Sequence, residues 1–588
     1  MSGDFRVGPW QVTPSLNSIS CDGTTVHLEP KVIGVLACLA AQPGQTLSKE
    51  ALFQAVWPGI VVSDDVLKRC VAELRRAFKD DAREPRIIQT IPKRGYRLVA
   101  PVTVPTEVAP APSAVRDSIA VLPFINMSSE PENEYFADGI TEEIINALAQ
   151  IRELHVVARS SAFSFKGKHI DLRVVGEQLN VRTVLEGSVR KAGNRLRVTA
   201  QLINAADGYH LWSERYDREM RDVFEIQDEI AGGISERLKI AMEAGQARPL
   251  VKAGTQNLEA YQLYLKGRAL LARRGPTMPY LDCFAEATKL DPNYAQAWAG
   301  LADSYSVLGY TGILRPEASM PTALDAARRA VTLGSDVAEA HNAFAMASLM
   351  GAWDKTEAER AFLRALALNP RYVQARLWYA LYYLMYSEGR MIEAMAEAKL
   401  ALESDPLSSY AHSVYGWICA HAGEYARGIE AARRGVALDS EAYLARALLQ
   451  EVLRVTGEFE ESIATGELAL AMSGRHAWAM GFLALTLADC GRSADADAVY
   501  VEMAGRSRRT YVPPAALATV AAAASREEDA IRHAREAIEI RDPECPYMFS
   551  RYGRTADRLY EYPRFREVIA CMGRDDWLRH QEPVSRQP

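Results

Sequence analysis

Basic side chains are concentrated between positions 68 and 97. This stretch holds ten lysines and arginines against four acidic residues, although the whole chain of 588 residues has a formal net charge of -7. Lysine and arginine neutralise phosphates and displace counterions, and arginine can also pair with guanine through two hydrogen bonds. The stretch therefore indicates contact with a polyanion, and nucleic acid is the first candidate.

A helix over 63–79 is predicted to position the first group of these side chains. Its apolar residues recur with helical spacing and form one stripe, made of Leu67, Cys70, Val71, Leu74 and Phe78. The side chains off this stripe make the other face basic: Lys68, Arg69, Ala72, Arg75 and Arg76. Ser63 is placed to cap the helix, and Asp64 and Asp65 lie at its positive end. Most charged helix faces are merely solvated, so the helix alone does not establish a nucleic-acid contact.

The second basic group lies on a predicted hairpin, RIIQTIPKRGYRLVAPV, over 86–102. Its tight turn carries Lys93 and Arg94 and ends at Gly95, which supplies the permissive backbone that such a turn needs. A shorter helix over 49–57 and the connection 57–62 precede the basic helix. A basic turn beside a basic helix favours DNA binding over a merely solvated face.

Residues 5–102 resemble the OmpR-type winged-helix DNA-binding domain, most specifically in the wing sequence IIQTIPKRGYRLVAPV. The resemblance implies that 63–79 is the recognition helix and that these residues face double-stranded DNA: Lys68, Arg69, Ala72, Arg75 and Arg76 on the helix, with Lys93, Arg94 and Tyr96 on the wing. It also implies that 57–62 can contact RNA polymerase. The acidic start of the helix departs from the family pattern and leaves the base preference open.

A DNA-binding domain that leads the chain, followed by a Pro/Ala-rich linker over 104–116, is similar to the CadC/HilA-like arrangement of regulators. No receiver domain precedes it in this sequence, so control by aspartyl phosphorylation is not expected. The N-terminus lacks the pattern of a signal peptide, and no apolar run is long enough to span a membrane. The prediction is a cytoplasmic protein without a membrane partner.

Residues 117–242 alternate strand-like and helix-like segments and predict a small α/β domain. One strand is expected to open the segment 118–130, and others are expected over 154–165 and 210–219, with a hairpin over 188–204. Helices are expected over 136–151, 171–180 and 223–241. The runs AVLPF, EYFADGITEEI and LEGSVRKAGNRLRVTAQL resemble the TolB-like N-terminal domain, a family without agreed catalytic residues.

Turn signals recur every 34–39 residues over 256–543, as in KLDPNYAQAW, ALNPRYVQAR and ESDPLSSYAH. Small residues fall where two helices of a unit must approach closely: Ala287, Ala365 and Ala401. The pattern resembles tetratricopeptide repeats in about eight copies, which implies an all-α solenoid with a concave groove for a protein or a small ligand. Residues 544–588 are predicted to form a C-terminal cap and tail.

One repeat contains the run RLWYALYYLMYSEGR, in which two aromatic stripes lie side by side. The repeat register places Trp378 and Tyr382 in the core and turns Tyr379, Tyr383 and Tyr386 towards the groove. We hypothesise that these three tyrosines contribute to a ligand or partner site. The alternative is that they pack against the next repeat.

The sequence carries no pattern for catalysis, a metal or a cofactor. Its eight cysteines never approach a metal-ligand spacing, and Gly232 and Gly233 lie inside a predicted helix rather than in a phosphate loop. The chain is thus predicted to be multidomain: an α+β winged helix-turn-helix, a small α/β domain and an all-α tetratricopeptide-repeat solenoid. The leading prediction for the function is a DNA-binding transcription regulator without enzyme activity. Whether the protein forms a homodimer is left open. The alternative is a repeat scaffold or adaptor whose N-terminal domain does not act on DNA.

Overall fold

The structure is a computed structural model that describes residues 5–13, 18–21, 24–42, 44–56, 64–81, 83, 85–92, 94–103, 117–130, 133–151, 153–168, 170–238, 254–273 and 279–572. It divides into two compact units, Met1–Val115 and Arg116–Pro588. The predicted linker 104–116 lies outside the described residues. Within these ranges, no helix is long and apolar enough to cross a bilayer.

The N-terminal unit contains the strands and helices of the predicted winged helix-turn-helix. In chain order they are β1 (Phe5–Val7), β2 (Trp10–Thr13), β3 (Ser18–Cys21), β4 (Thr24–His27), α1 (Pro30–Ala41), β5 (Thr46–Leu47), α2 (Lys49–Val56), α3 (Asp64–Phe78), β6 (Ile88–Ile91), β7 (Gly95–Leu98) and β8 (Val102–Thr103). One antiparallel sheet has the order β4-β3-β2-β1-β8, and a second has the order β5-β7-β6. The α+β prediction for this unit is confirmed.

The second unit begins with a six-stranded mixed sheet and its helices. They are β9 (Ser118–Val121), β10 (Ile125–Asn126), α4 (Glu134–Ala149), β11 (His155–Val156), α5 (Arg159–Phe163), α6 (Leu172–Leu179), β12 (Thr183–Ala192), β13 (Arg195–Asn204), β14 (His210–Glu219) and α7 (Val223–Arg237). The strand order is β11-β9-β12-β13-β14, with β10 beside β12. The predicted hairpin and third strand are confirmed, and β12, β13 and β14 form an antiparallel meander.

The strand predicted over 154–165 is wrong for most of its length. Only His155–Val156 is extended, and Arg159–Phe163 is helical. The cause is a tertiary contact: the Ala158 amide donates to the Ser404 carbonyl at 2.7 Å, and the Ser161 amide donates to the Asp405 carboxylate at 2.9 Å. Both partners lie more than 240 residues away, where local sequence patterns carry no information.

In the described residues from 254 to 539, sixteen helices form eight pairs, in agreement with the predicted repeats. They are α8 (Leu258–Arg273), α9 (Pro279–Leu290), α10 (Ala295–Tyr310), α11 (Pro316–Leu333), α12 (Ala338–Met346), α13 (Lys355–Leu368), α14 (Val373–Trp378), α15 (Met391–Ser404), α16 (Ser409–His421), α17 (Tyr425–Leu438), α18 (Tyr443–Thr456), α19 (Phe459–Met472), α20 (Ala477–Asp489), α21 (Ser493–Ser507), α22 (Pro514–Ala523) and α23 (Glu527–Glu539). Two π-helical segments, Ala347–Gly351 and Tyr379–Ser387, extend α12 and α14.

Small residues allow the paired helices to approach closely. Ala287, Ala365 and Ala401 are completely buried, as their repeat positions predict. A Cβ atom added at Gly416 would lie 2.7 Å from backbone atoms of α17, so only glycine permits that approach. The sheet also shares one hydrophobic core with the first repeats, and Gln227 of α7 donates to the hydroxyl of buried Tyr261 at 2.9 Å.

The solenoid curves far enough to touch itself. Tyr310, at the end of α10, stacks on Trp478 of α20 with ring centroids 6.2 Å apart. Three short helices follow the repeats: α24 (Cys545–Met548), α25 (Asp557–Tyr560) and α26 (Pro563–Ala570). The last two pack on α22 and α23 and cover the end of the array, where the predicted cap was placed.

The segment 544–553, by contrast, runs along the inner surface of the solenoid. Tyr547 donates to the Tyr310 carbonyl at 2.6 Å, and Ser550 donates to the Tyr386 carbonyl at 2.6 Å. The His421 imidazole lies 3.0 Å from the Gly553 carbonyl. These partners belong to the first helices of three different pairs, so the chain itself occupies the groove that was predicted to be open.

Candidate nucleic-acid interface

Helix α3 presents one face to the core and the opposite face to solvent. The predicted apolar stripe is buried, and no member is more than 6% exposed. Phe78 holds the end of the helix against Trp10 of β2, with ring centroids 5.6 Å apart. Four of the five predicted DNA-facing side chains on the helix are exposed: Lys68, Arg69, Ala72 and Arg76.

Arg75 has a different position from its neighbours. Its side chain is half-buried, and Nη2 donates to the Ile88 carbonyl and to the Thr90 hydroxyl, both at 2.9 Å. The guanidinium therefore joins α3 to strand β6. The predicted orientation of Arg75 towards DNA does not match this geometry, because the wing strand lies close enough to α3 to bind Nη2 of this side chain.

The two aspartates at the start of α3, which depart from the family pattern, form ion pairs with neighbouring lysines. Lys68 lies 2.8 Å from Asp65, which raises the pKa of the ammonium and lowers the pKa of the carboxyl. Asp64 pairs with Lys49 of α2, and this hydrogen bond raises the pKa of the lysine. All these groups are exposed to solvent, so water and salt screen the attraction.

The remaining arginines of this surface differ in their partners. Arg69 lies 3.0 Å from Glu29, which precedes α1. Arg76 and Arg94 form no ion pair with any residue that the structure describes. They are therefore the cations most readily available to a phosphate or a base edge.

The wing is the hairpin of β6 and β7, closed with Ile91 opposite Gly95. Gly95 has a φ of +135°, and a Cβ atom there would lie 1.9 Å from the Leu47 carbonyl oxygen. Arg94 is exposed at the turn, whereas Lys93 lies outside the described residues, as does the predicted polymerase-contacting connection 57–62.

Tyr96 does not lie on the surface of the wing. It is 6% exposed and belongs to the core of the N-terminal unit. Side chains alternate along a strand, and Tyr96 and Leu98 occupy the inner face of β7. The prediction that Tyr96 is a DNA-facing side chain therefore needs correction.

Asp80 positions the wing and was not predicted. Its carboxylate accepts the backbone amides of Arg86, Ile87 and Ile88 at 2.7, 3.2 and 2.8 Å. The preceding Lys79 ends the helix with a φ of +55°. An aspartate just after a helix and before a strand is a signal for such a cap, but many aspartates share it.

The predicted tyrosine site lies in the second unit, on the π-helical segment that extends α14. Tyr379, Tyr383 and Tyr386 are each 5% exposed. Tyr379 packs on Phe362 and stacks on Tyr383, with centroids 5.7 and 5.5 Å apart. The Tyr386 ring packs against Trp417 of the next pair, with ring centroids 6.5 Å apart. Tyr386 thus packs against the next pair, as the alternative predicts, whereas Tyr379 packs within its own segment and against the preceding pair.

Tyr383 and Tyr386 also line a cavity of about 270 Å³. Polar groups of the repeats and of the C-terminal segment complete its wall, among them Lys355, Glu359, Glu388, Arg551 and Tyr552. Lys355 and Glu388 form an ion pair at 2.7 Å, and burial raises the pKa of the Tyr383 hydroxyl. Tyr379 is not part of the wall. Among all the residues that the structure describes, no cluster of histidine, cysteine and carboxylate side chains is arranged to hold a metal ion.

Two family models match this chain. Residues 23–98 match "Transcriptional regulatory protein, C terminal", and residues 115–232 match "HilA/YgeH-like transcriptional regulator, second domain". The N-terminal unit is therefore an OmpR-type winged-helix DNA-binding domain, as predicted. The second match places the sheet module in a family of transcriptional regulators, while its TolB-like character stays a prediction.

Three curated proteins, two of them named as transcriptional regulators, are similar to parts of this chain. "Transcriptional activator CadC" of Escherichia coli is 44% identical over 98 residues, which are 16% of this chain and 19% of CadC. "Transcriptional regulator HilA" of Salmonella typhimurium is 24% identical over 408 residues, 67% of this chain and 69% of HilA. "Putative adenylate cyclase 3" of Rhizobium meliloti is 37% identical over 288 residues, 47% of this chain and 45% of that protein. The chain thus spans less than half of two of these relatives.

Proposed function

We propose that this protein is a transcription regulator that places α3 in the major groove of double-stranded DNA. The observation that supports this proposal most strongly is the exposed basic face of α3, held rigid by a buried stripe and flanked by the exposed Arg94 of the wing. A helix of this kind fits the major groove, and the neighbouring hairpin reaches the backbone or the adjacent minor groove. The proposed contacts are Lys68, Arg69, Ala72 and Arg76 on the helix, with Lys93 and Arg94 on the wing.

Binding would exchange internal ion pairs for phosphate contacts. Lys68 and Arg69 have to leave Asp65 and Glu29, whereas Arg76 starts without such a partner. Arg75 and Tyr96 act by positioning α3 and the wing. Affinity should fall steeply between about 50 and 200 mM salt, because several phosphate contacts release counterions.

The test compares the intact protein with an Arg69→Ala/Arg76→Ala variant by genome-wide DNA occupancy in the source organism. Discrete peaks that vanish in the variant support the proposal and reveal the operator. The matched control is Arg173→Ala/Arg221→Ala, which removes two exposed arginines of the sheet module. Loss of peaks in both variants, or no peaks in any growth condition, would contradict it and favour the scaffold or adaptor.

A second proposed role is reception of a small ligand at the cavity beside Tyr383 and Tyr386. Its support is the cavity itself, together with the occupation of the inner groove by residues 544–553, which leaves less room for a peptide. A volume of about 270 Å³ suits a metabolite rather than a helix. Substitution Tyr383→Phe, which keeps the ring packed and removes the hydroxyl, should weaken the response to inducing conditions, whereas Tyr379→Phe, at a position outside the wall, should preserve it.

Contact of 57–62 with RNA polymerase is also proposed, on the resemblance of the domain alone. In vitro transcription at the identified operator tests it. Alanine substitutions over 59–62 should lower transcript yield without weakening DNA binding.

A further inference from the structure

Strand β14 (His210–Glu219) forms one edge of the six-stranded sheet. It is ten residues long, and β13 is its one partner strand among the described residues. Ser213, Glu214 and Arg215, in the middle of the strand, are exposed. Such an edge offers unpaired backbone donors and acceptors to another strand.

The direction of these free backbone groups follows from two hydrogen bonds. The Met220 amide points towards β13, where it donates to the Asn194 carbonyl at 2.9 Å. The Leu211 carbonyl points the other way and accepts from the Arg237 side chain at 2.6 Å. The register between β13 and β14 shifts beyond Trp212, so the alternation is counted from Met220 back to Ser213. Over this stretch the odd-numbered residues Ser213, Arg215 and Asp217 turn their amides and carbonyls outward, whereas the Glu219 amide already donates to the Asp222 carboxylate at 3.3 Å.

The charges along this edge are complementary to themselves in one register. A second copy, rotated by a twofold axis through Tyr216, sets Arg215 opposite Asp217 and Glu214 opposite Arg218, each pair occurring twice. In the same register Arg215 and Asp217 are both outward-facing, so each such pair can exchange two backbone hydrogen bonds. Opposite charges at directly paired positions stabilise an antiparallel pairing.

We propose that β14 is the interface of a homodimer, in which two copies of this strand pair antiparallel about Tyr216 and join their sheets into one. This inference is independent of the proposed DNA contacts.

Other symmetric registers are less favourable. An axis through Glu214, Arg215, Asp217 or Arg218 would place a charged residue opposite its own copy, and like charges at paired positions destabilise a sheet. Charged edges commonly keep strands apart. Among the axes through residues 214–218, the one through Tyr216 is therefore the one that avoids placing a charged residue opposite its own copy.

The ion pairs that the charged side chains of β14 form within the chain agree with this arrangement. Glu214 and Arg215 form no ion pair within the described residues, whereas Asp217 is bound by Arg195 and Arg197. Arg218 is half-exposed and lies 3.1 Å from Glu229 of α7. Dimer formation therefore adds partners to two charges that form no ion pair within the described residues.

The test is sedimentation equilibrium on the full chain without DNA. The parent should dimerise at micromolar concentration, and Arg215→Glu should raise the dimer Kd at least about tenfold, since it places two acidic pairs at the interface. Arg190→Glu, an exposed arginine on β12 of the same sheet, is the control and should not change it.

Disulfide formation checks the register. In a Cys571→Ser background, which removes an exposed thiol, Glu214→Cys/Arg218→Cys should form a covalent dimer on oxidation, whereas Glu214→Cys alone should not. The two positions are too far apart within one strand to bridge each other, but they lie opposite each other across the proposed axis. A monomeric parent, a dimer unaffected by Arg215→Glu, or equal cross-linking of the two cysteine variants would overturn the proposal.

Discussion

Two adjacent arginines of α3 have different surroundings and should have different roles. Arg75 donates two hydrogen bonds to β6, whereas Arg76 is exposed and has no ion pair within the described residues. We expect Arg75→Ala to accelerate amide exchange over 88–91 about tenfold or more, because each hydrogen bond from a charged donor contributes about 1.5–3 kcal/mol. Arg76→Ala should leave that exchange unchanged and weaken specific DNA binding by about 1–3 kcal/mol. Equal effects on exchange would contradict this division of roles.

The sequence identified the basic face of α3 because helical spacing separates it from the apolar stripe. Lys68, Arg69, Ala72 and Arg76 are exposed as that spacing predicts. Arg75 and Tyr96 could not be placed in the same way. Their positions depend on how closely β6 approaches the helix and on which face of β7 is inner, and neither follows from local periodicity.

Asp303 of α10 should make the stability of the second unit depend on pH. It is 7% exposed, and burial raises its pKa to about 7. The folded state therefore keeps a proton that the unfolded chain loses near pH 4, so unfolding releases a proton between these values. The free energy of unfolding should be highest below about pH 4 with respect to this group and fall as pH rises to about 7, by up to a few kcal/mol.

Asp303→Asn is the variant that checks this pH dependence, since it keeps the shape and removes the titration. Thermal unfolding between pH 5 and pH 8 should show a shallower decline of stability in the variant than in the parent. Asp325→Asn, at an exposed position of α11, provides a control. Parallel pH profiles of the parent and Asp303→Asn would show that Asp303 does not contribute to the pH dependence.

At the scale of elements, the repeats were predictable because each helix carries its own turn signal and small-residue positions. The eight pairs of the described residues lie within the span 256–543, over which the sequence predicts about eight repeats. Helix α5 was predicted as a strand because its conformation depends on α15, which follows far along the chain. The Ser160 and Ser161 hydroxyls and the Ser161 amide all bind the buried Asp405 carboxylate.

Asp405→Ala should loosen α5 while leaving its own repeat folded. The substitution leaves three donors of α5 without their acceptor in a buried position, at a cost of about 1–3 kcal/mol. Amide exchange over 159–163 should rise, and exchange in α17, which Asp405 does not cap or contact through Ser408, should not. Asp439→Ala is a matched control, because Asp439 ends α17 as Asp405 ends α15 but is exposed and binds its own turn. An unchanged α5 would show that other contacts hold the junction.

At the scale of the whole molecule, the sequence predicted a solenoid with an open groove, and the structure shows the inner surface occupied. Repeat patterns describe contacts between neighbouring units, whereas Tyr310 and Trp478 are 168 positions apart. Nothing in the periodicity of 256–543 indicates that residues 544–553 return to the inner surface. The cavity beside Tyr383 exists because this segment supplies part of its wall.

The contacts that the C-terminal segment makes across the solenoid should make it unfold more cooperatively than an open array. Substitutions of Tyr547 test this expectation. Its ring contacts Tyr382, Tyr386 and Trp478, and its hydroxyl donates to the Tyr310 carbonyl. In an open repeat protein, destabilisation spreads to nearest neighbours. Here Tyr547→Ala, at a cost of about 3–5 kcal/mol by analogy with other buried aromatic truncations, should accelerate amide exchange in α10 and α20 together.

Tyr547→Phe keeps the packing and should cost about 1 kcal/mol, the contribution of one hydrogen bond. If Tyr547→Ala affected only the C-terminal helices, the contacts across the solenoid would not couple its two ends, and the inner groove could open to a partner without unfolding the repeats.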